Sequence, residues 1–261
     1  MATTNATISY KYIDEICPNT SHAPHCLYTN KEEVLNIITG LNPSKAYDVY
    51  DVSTSKIKQL KQSTEFIESI TSLWNNIIDN EEIPQDMKID RIIYLWKRKG
   101  CKLDAKYYRP ITLVTATSKI TEGILHHKIQ MIVPMPADKI QHAYKQNRSI
   151  QTGLLELDDC LLKHGNYHRD ISYPYVNHPS AVIILDLKGA LESVDHFSLT
   201  HFFGKFSPIL AKVTKYYLTN RIANIFNRNF TEENPQLKYT PSRSVPQGSK
   251  VSPILFSMTQ Y

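Results

Sequence analysis

The chain has 261 residues, of which 41% are hydrophobic and 21% charged, an ordinary composition for a globular protein with one large or two modest domains. Its four cysteines are too sparse for a disulfide scaffold, no apolar run reaches the roughly 18 residues of a membrane span, and the N-terminus lacks a signal peptide's apolar core. These features predict an intracellular protein, nuclear or cytoplasmic and not secreted. The net charge of +5 agrees with a nucleic-acid partner without requiring one.

Residues 1–29 show weak periodicity and are predicted to form an irregular leader. Two cysteines and two histidines cluster there, namely Cys17, His22, His25 and Cys26. They suggest a zinc site, but their C-x4-H-x2-H-C spacing matches no common ligand pattern. We therefore expect the leader to bind no metal.

Several segments carry apolar residues at helical spacing behind a capping residue. Asn30, followed by Glu33, is typical of a capping box in front of the first of these segments. Ser207-Pro208 is another start signal, because proline is favoured at the first helical position. Helices are predicted over residues 31–41, 64–78, 118–131, 150–161 and 208–219, and from Ser252 onward.

Short apolar runs bounded by turn residues predict strands. Lys163–Pro179 is rich in His, Tyr, Asn and Pro and is a predicted loop, and Asn227–Pro235 is predicted to be the polar loop of a hairpin. The strands are predicted at Ile89–Leu95, Ala181–Leu185, Arg221–Phe226 and Gln236–Tyr239.

Asp186 follows the apolar run Ala181–Leu185 directly. A carboxylate at the end of a buried strand is costly unless a metal ion, a lysine or an arginine meets it. The alternative interpretation is that Asp186 only caps the following turn.

Three further groups have both a functional and an ordinary interpretation. Lys97-Arg98-Lys99 follows a predicted strand and could bind phosphates, or it could be a solvated loop. Arg148 precedes a predicted helix and could contact a nucleic-acid backbone, or it could be a plain surface arginine. Gln247-Gly248 follows Pro246 and could form an ordinary turn, although glycine also permits a close approach of the backbone to another group.

Four ordered blocks resemble the reverse transcriptases of non-long-terminal-repeat, LINE-like retrotransposons. Tyr108–Leu113 (YRPITL) resembles the fingers block Y-R-P-I-x-L, and Gln141–Ser149 resembles a block running from Q-x-G-F to R-S. Ala181–His196 (AVIILDLKGALESVDH) resembles an apolar strand followed by D-L-x-x-A-F-D-x-V-x-H. Ser244–Phe256 (SVPQGSKVSPILF) resembles G-V-P-Q-G-S-x-L-S-P-x-L-F. The resemblance covers most of the chain from about Asn30 onward.

The resemblance implies an α+β fold, the fingers and part of the palm of a right-hand polymerase. It predicts a fingers-like region over 30–180 and a partial palm over 181–261 with an antiparallel sheet. An open edge of that sheet would invite a partner chain. The implied partners are an RNA template, a DNA primer and deoxynucleoside triphosphates, with no membrane.

The resemblance also assigns roles to residues. Asp186 would be a catalytic carboxylate, and it would bind Mg²⁺ together with the backbone carbonyl of Leu187. Arg148 would contact the nucleic-acid backbone. The triphosphate would be gripped by Lys97 or Lys99 and by Arg109, because a triphosphate needs several cationic donors. The other implied nucleotide-binding residues are Leu187, Lys188, Gly189, Ala190, Leu191, Gln247 and Gly248.

Three departures from the family pattern bear on catalysis. Leu191 stands where an aromatic residue packs under the sugar, and Glu192 replaces an aspartate. The sequence ends at Tyr261, before the family's paired-aspartate hairpin, and no spacing argument aims Glu192 or Asp195 at Asp186. We therefore expect a truncated reverse transcriptase by descent that is inactive alone. The alternatives are a nucleic-acid-binding remnant and a relic without a role.

Overall fold

A computed structural model describes residues 24–43, 46–134, 141–145, 147–166, 181–187, 189–225, 237–238 and 243–259. The chain divides into two compact units. The first unit comprises Met1–Met135 and Ala190–Tyr261, and the second comprises Pro136–Gly189. The boundaries predicted at residues 30 and 181 stay predictions.

The helices begin where the sequence supplies capping groups. Asn30 Oδ1 accepts a hydrogen bond from the Glu33 amide (2.8 Å), and Ser63 Oγ accepts one from the Phe66 amide (3.2 Å). These side chains satisfy amides that a helix leaves without partners in its first turn. The helices are α1 Lys31–Gly40, α2 Thr54–Gln59, α3 Thr64–Asn80, α4 Ala116–Ile132, α5 Ile150–Asn166, α6 His196–Gly204, α7 Pro208–Leu218 and α8 Ser252–Met258. Of these, α2 and α6 were not predicted.

The core of the first unit lies between α1, α3 and α4 and continues under α6, α7 and α8. Trp74 on α3 is almost fully buried, and its indole N–H donates to the Leu27 carbonyl (2.8 Å). A buried indole needs such a partner, because an unpaired N–H in the core costs free energy. Ile38, Ile120 and Phe203 have no measurable exposure. Burying each such side chain stabilises the fold by about 1.5–3 kcal/mol.

The sheet has four strands in the order β2-β1-β3-β4, namely β1 Ile89–Trp96, β2 Tyr108–Leu113, β3 Ile222–Ile225 and β4 Leu237–Lys238. The pairs β1–β2 and β3–β4 are antiparallel, whereas β1 and β3 are parallel, with Ile89 opposite Ile222. The sheet is therefore mixed, and the prediction of an antiparallel sheet was wrong in this respect. Parallel neighbours need a long crossover, and the chain between β1 and β3 supplies one.

Residues 181–187 form no strand, which corrects the prediction at Ala181–Leu185. Their side chains are exposed, and Ile184 is 88% accessible. A strand exists only where another segment pairs with its backbone, and no described segment pairs with this one. An apolar run alone therefore does not decide the conformation here.

The second unit contains α5, whose predicted apolar stripe is also exposed, with Ile150 at 79% and Leu154 at 56% accessibility. Ser149 Oγ accepts a hydrogen bond from the Thr152 amide (3.3 Å), as expected for a cap. None of the described helices is long and apolar enough to cross a membrane.

Candidate functional site

A cationic loop joins β1 to β2, and residues 97–109 are called the basic hairpin below. They carry six lysine or arginine side chains and one carboxylate, so their surplus of charge equals the net +5 of the whole chain. The Lys97 amide donates to the Tyr107 carbonyl (2.7 Å), which continues the β1–β2 pairing. Gly100 has a φ of +72°, and a Cβ there would lie 2.2 Å from the Tyr107 ring. The turn therefore depends on glycine at this position.

The cations of the basic hairpin differ in their contacts. Lys97 Nζ donates to the Lys106 carbonyl (2.7 Å), and Lys102 Nζ lies 4.9 Å from the centroid of the Trp96 ring. Lys99 and Arg109 are exposed, and their side chains have no partner among the described residues. These two cations can therefore bind a phosphate directly, whereas Lys97 must first break its hydrogen bond to the Lys106 carbonyl.

Arg109 lies on β2, at the edge of the sheet and opposite Leu95 of β1. Leu95 is 52% exposed, so this end of the β1–β2 ribbon faces solvent. The proline that follows Arg109 has no N–H to donate and suits an edge strand. The strand thus holds a guanidinium at an open surface, where its planar fork can bind phosphate oxygens in a bidentate manner.

A turn at Pro246–Lys250, called the glycine loop below, packs against β2. Gln247 O accepts a hydrogen bond from the Thr112 amide (2.7 Å). Gly248 has a φ of +121°, and a Cβ there would lie 2.8 Å from Thr112 O. Glycine is required both for this backbone conformation and for the close approach to β2. The glycine loop is therefore docked three residues from Arg109 along the same strand.

Leu191 is tied to the same loop. Its carbonyl accepts a hydrogen bond from the Val245 amide (3.0 Å), and the Val194 carbonyl accepts one from Ser244 (2.8 Å). These bonds align the segment after Ala190 with the approach to the glycine loop. The structure thus joins Arg109, Ala190–Leu191 and Gln247–Gly248 through backbone hydrogen bonds within the first unit.

A buried polar network lies beneath the glycine loop. Tyr217 Oη on α7 donates to Glu122 Oε1 on α4 (2.6 Å), and the Lys250 amide donates to Glu122 Oε2 (3.0 Å). Ser249 Oγ lies 2.7 Å from Tyr217 Oη and accepts from the Val251 amide (3.1 Å). Burial raises the pKa of Glu122 and that of Tyr217, since both lose contact with water.

A buried ion pair supports this network from the sheet side. Arg221 donates through Nε to Asp90 Oδ2 (2.8 Å) and through Nη2 to Asp90 Oδ1 (2.7 Å). Its guanidinium also lies 4.9 Å from the Tyr217 ring centroid. Burial favours the neutral form of Arg221, but the charge and hydrogen bonds of Asp90, together with the nearby Tyr217 and Glu122, outweigh this effect and raise the arginine's pKa. Both side chains are about 5% exposed, so the ionised form of each is stabilised mainly by the opposite charge of the other.

Asp186 and Leu187 belong to the second unit, and both are exposed. Asp186 is therefore not the buried carboxylate that the predicted strand implied, and the catalytic and metal-binding role implied for it stays a prediction. Gly189 is in the same unit, and Lys188 lies outside the described residues.

Arg148 is engaged within the second unit. Its Nη1 lies 3.2 Å from His142 Nε2 and 3.4 Å from Glu156 Oε2. A contact with a nucleic-acid backbone would have to compete with these partners. That role stays a prediction.

Glu192 and Asp195 are the next two acidic residues after Asp186 in the sequence. Asp195 Oδ2 accepts hydrogen bonds from the Ser198 amide (2.8 Å) and hydroxyl (2.7 Å) and so caps α6. Burial opposes ionisation, but these hydrogen bonds together with the charge of Arg243 outweigh it and lower the pKa of Asp195. Glu192 is exposed on a short 3₁₀ turn. Asp195 thus has a structural role as a cap.

Two metal sites were considered from the sequence, the cysteine and histidine cluster of the leader and a magnesium site at Asp186. His25 and Cys26 are described, whereas Cys17 and His22 are not, so the four-residue cluster cannot be placed. Among the described residues no three His, Cys, Asp or Glu side chains form a group that could hold a metal ion. Mg²⁺ needs several oxygen ligands. The described residues therefore do not by themselves make up a magnesium site.

Glu122, Tyr217, Asp90 and Arg221 were missed by sequence reasoning. One signal for Glu122 was available, because it falls between Ser118 and Leu125 at helical spacing and thus lies on the apolar stripe of α4. A carboxylate on such a stripe needs buried donors, which predicts a polar network. The partners of Glu122 lie far away in sequence and had no local signal.

A comparison with known protein families gives a match. The sequence model of the family described as "Reverse transcriptase (RNA-dependent DNA polymerase)" matches residues 97–260, more than half of the chain. No curated protein matches the chain. The matched range includes the basic hairpin from its first residue, and it includes the glycine loop.

Proposed function

Because the chain belongs to the reverse transcriptase (RNA-dependent DNA polymerase) family, we propose that its first unit binds the triphosphate of an incoming deoxynucleotide. The family implies a nucleic-acid template and primer together with nucleotide substrates. Lys99 and Arg109 would contact the phosphates, and Gln247-Gly248 would line the nucleotide. The hydrogen bond from Thr112 N to Gln247 O carries the proposal, because it docks the glycine loop on the strand of Arg109.

The chemistry of the two sides is complementary. A triphosphate presents several anionic oxygens, and the basic hairpin presents exposed cations at a solvent-facing sheet edge. Lys97 would join the site by exchanging the Lys106 carbonyl for a phosphate oxygen. Ala190 and Leu191 lie on the approach to the loop, where a leucine gives a smaller contact surface than an aromatic ring.

The proposal includes RNA-templated DNA synthesis by descent and an origin in a non-LTR, LINE-like retrotransposon, supported by the order of the four sequence blocks. Asp186 is proposed as one carboxylate for Mg²⁺, and further ligands are required beyond the described groups. An intracellular location, nuclear or cytoplasmic, is in keeping with Cys26, Cys101 and Cys160, which form no disulfide among the described residues.

The binding test is a titration of the full chain, with a primed RNA template and Mg²⁺, by a fluorescent deoxynucleoside triphosphate. Arg109→Ala removes charge-assisted hydrogen bonds, so we expect the Kd to rise about 10- to 100-fold. Arg109→Lys keeps the charge, so its Kd should lie between that of wild type and that of Arg109→Ala. Lys31→Ala is the control, because Lys31 is an exposed lysine of α1 that pairs with Glu68. Equal affinity for wild type and Arg109→Ala would refute the proposal.

The catalytic part has a separate test. Primer extension on an RNA template with Mg²⁺ is compared between wild type and Asp186→Ala. Synthesis that is lost in the variant would identify an active polymerase that uses Asp186. Binding of RNA that weakens steeply with salt, without synthesis by folded wild type, would instead identify a nucleic-acid-binding remnant. Neither synthesis nor binding would leave the third alternative, a relic.

A further inference from the structure

We infer that Glu122 and Tyr217 are positioning residues that hold the glycine loop in its nucleotide-facing conformation. Neither side chain would touch the nucleotide. Both act through the Ser249 hydroxyl and the Lys250 backbone amide. The inference deepens the proposed function and rests on it, since the glycine loop is the element that would line the nucleotide.

Buried side chains of two helices, and not regular secondary structure, fix the position of the glycine loop. Ser249 and Val251 are buried, whereas Gly248 is exposed. The Lys250 amide donates to a side chain on α4, and the Ser249 hydroxyl meets a side chain on α7. Two helices distant in sequence thus determine where the exposed part of the loop lies.

Glu122 has the geometry of a clamp. It is 1% exposed, and its two carboxylate oxygens receive different donors, Tyr217 Oη and Lys250 N. Tyr217 is in turn oriented by Arg221, which donates to its carbonyl (2.9 Å) and lies over its ring. Loss of the carboxylate would leave the Lys250 amide without this partner.

The position of Glu122 argues against a role in the stability of α4 alone. It lies on the apolar stripe of α4 beside Leu125, where an apolar side chain would avoid the cost of burying a carboxylate. One of its two hydrogen bonds ends on the backbone of the glycine loop, and the other ends on the tyrosine that meets Ser249. The hydrogen bonds that the Glu122 carboxylate accepts therefore stabilise the position of the glycine loop.

The test uses Tyr217→Phe, which removes the hydroxyl and keeps the ring over Arg221. The control is Tyr216→Phe, the same change at the neighbouring exposed residue of α7. We measure amide hydrogen exchange of the full chain in peptides covering 244–252 and 118–130, and the Kd of a fluorescent deoxynucleoside triphosphate with a primed RNA template. Loss of one hydrogen bond predicts about fivefold faster exchange in 244–252 and an about fivefold higher Kd for Tyr217→Phe.

A positioning role requires the change to be local. Unchanged exchange in 118–130 with faster exchange in 244–252 supports the inference, whereas equal acceleration in both peptides indicates a merely structural role and overturns it. Faster exchange in the loop with an unchanged Kd also overturns it. If wild type binds no triphosphate, the proposed function fails, and the exchange data alone then decide whether the clamp exists.

Conservative rescue is the second measurement. Glu122→Gln keeps an acceptor oxygen for one of the two donors, whereas Glu122→Ala keeps none. We expect loop exchange in Glu122→Gln to lie between wild type and Glu122→Ala. Equal exchange in the two variants would contradict a clamp made through the carboxylate oxygens.

Discussion

Gly248→Ala tests the geometry of the glycine loop most sharply. The residue has a φ of +121°, a backbone conformation that is open to glycine and strained for alanine. The added Cβ would also lie 2.8 Å from Thr112 O. Because that oxygen belongs to the backbone of β2, it cannot rotate away, and the loop itself must move.

The expected magnitude follows from these two effects. Backbone strain of this kind costs about 1–3 kcal/mol. Movement of the loop also weakens the hydrogen bond from Thr112 N to Gln247 O, whose net contribution is about 1 kcal/mol. We therefore expect Gly248→Ala to lower the free energy of unfolding by about 2–4 kcal/mol, with weaker nucleotide binding because the loop leaves Arg109.

Urea unfolding of wild type and variant measures the first effect, and titration with a fluorescent deoxynucleoside triphosphate measures the second. Gly40→Ala is the matched control, because nothing lies within 4 Å of a Cβ built on Gly40 and its φ is not in the left-handed region. That control should be neutral or slightly stabilising, since alanine has the higher helix propensity. Equal stability of Gly248→Ala and wild type would refute the reasoning.

Three other predictions follow from the site. Asp90→Ala leaves the guanidinium of Arg221 buried and unpaired, so urea unfolding should show a loss of about 3–5 kcal/mol; a loss near zero would mean that water reaches the pair. Gly100→Ala places a Cβ against the ring of Tyr107, so the turn must shift. The free energy of triphosphate binding should therefore change by more than the free energy of unfolding, and an unchanged Kd would contradict a role of the basic hairpin in binding. Burial raises the pKa of Glu122, so its contribution to stability is present below about pH 4.5 and is lost as the pH rises through the higher native pKa. The unfolding free energy of wild type minus that of Glu122→Gln should therefore shrink with rising pH, and parallel curves would contradict this.

The elements that sequence predicted well carry their signals locally. Ser63 and Ser207 cap their helices as expected, and Pro208 opens α7. The strand β1 and the short pair β3–β4 were also expected, because apolar runs and turn residues identify them.

The features that sequence could not give depend on distant partners. The run Ala181–Leu185 has strand composition, but a strand needs a neighbour that its own residues do not encode. The parallel pairing of β1 with β3 joins segments about 130 residues apart and has no local sign. The same holds for Glu122, whose place on an apolar stripe signals a network without naming its partners Tyr217 and Lys250.

For the candidate site, sequence named Arg109 and Gln247-Gly248, but only by resemblance. Their joint placement depends on one backbone hydrogen bond between Thr112 and Gln247, which no spacing rule predicts. The distinction between Lys97, bound to its own loop, and the free Lys99 also needs coordinates. Charge clustering is visible in a sequence, whereas the partner of each charge is not.

The most direct test of the central claim is photo-crosslinking of the full chain with an azido-deoxynucleoside triphosphate on a primed RNA template, followed by mass spectrometry of the labelled peptides. We predict labelling in residues 97–113 and 244–250, with loss of both labels when unmodified triphosphate competes. Labelling confined to other peptides, with these two unlabelled, would show that the basic hairpin and the glycine loop do not form one nucleotide site.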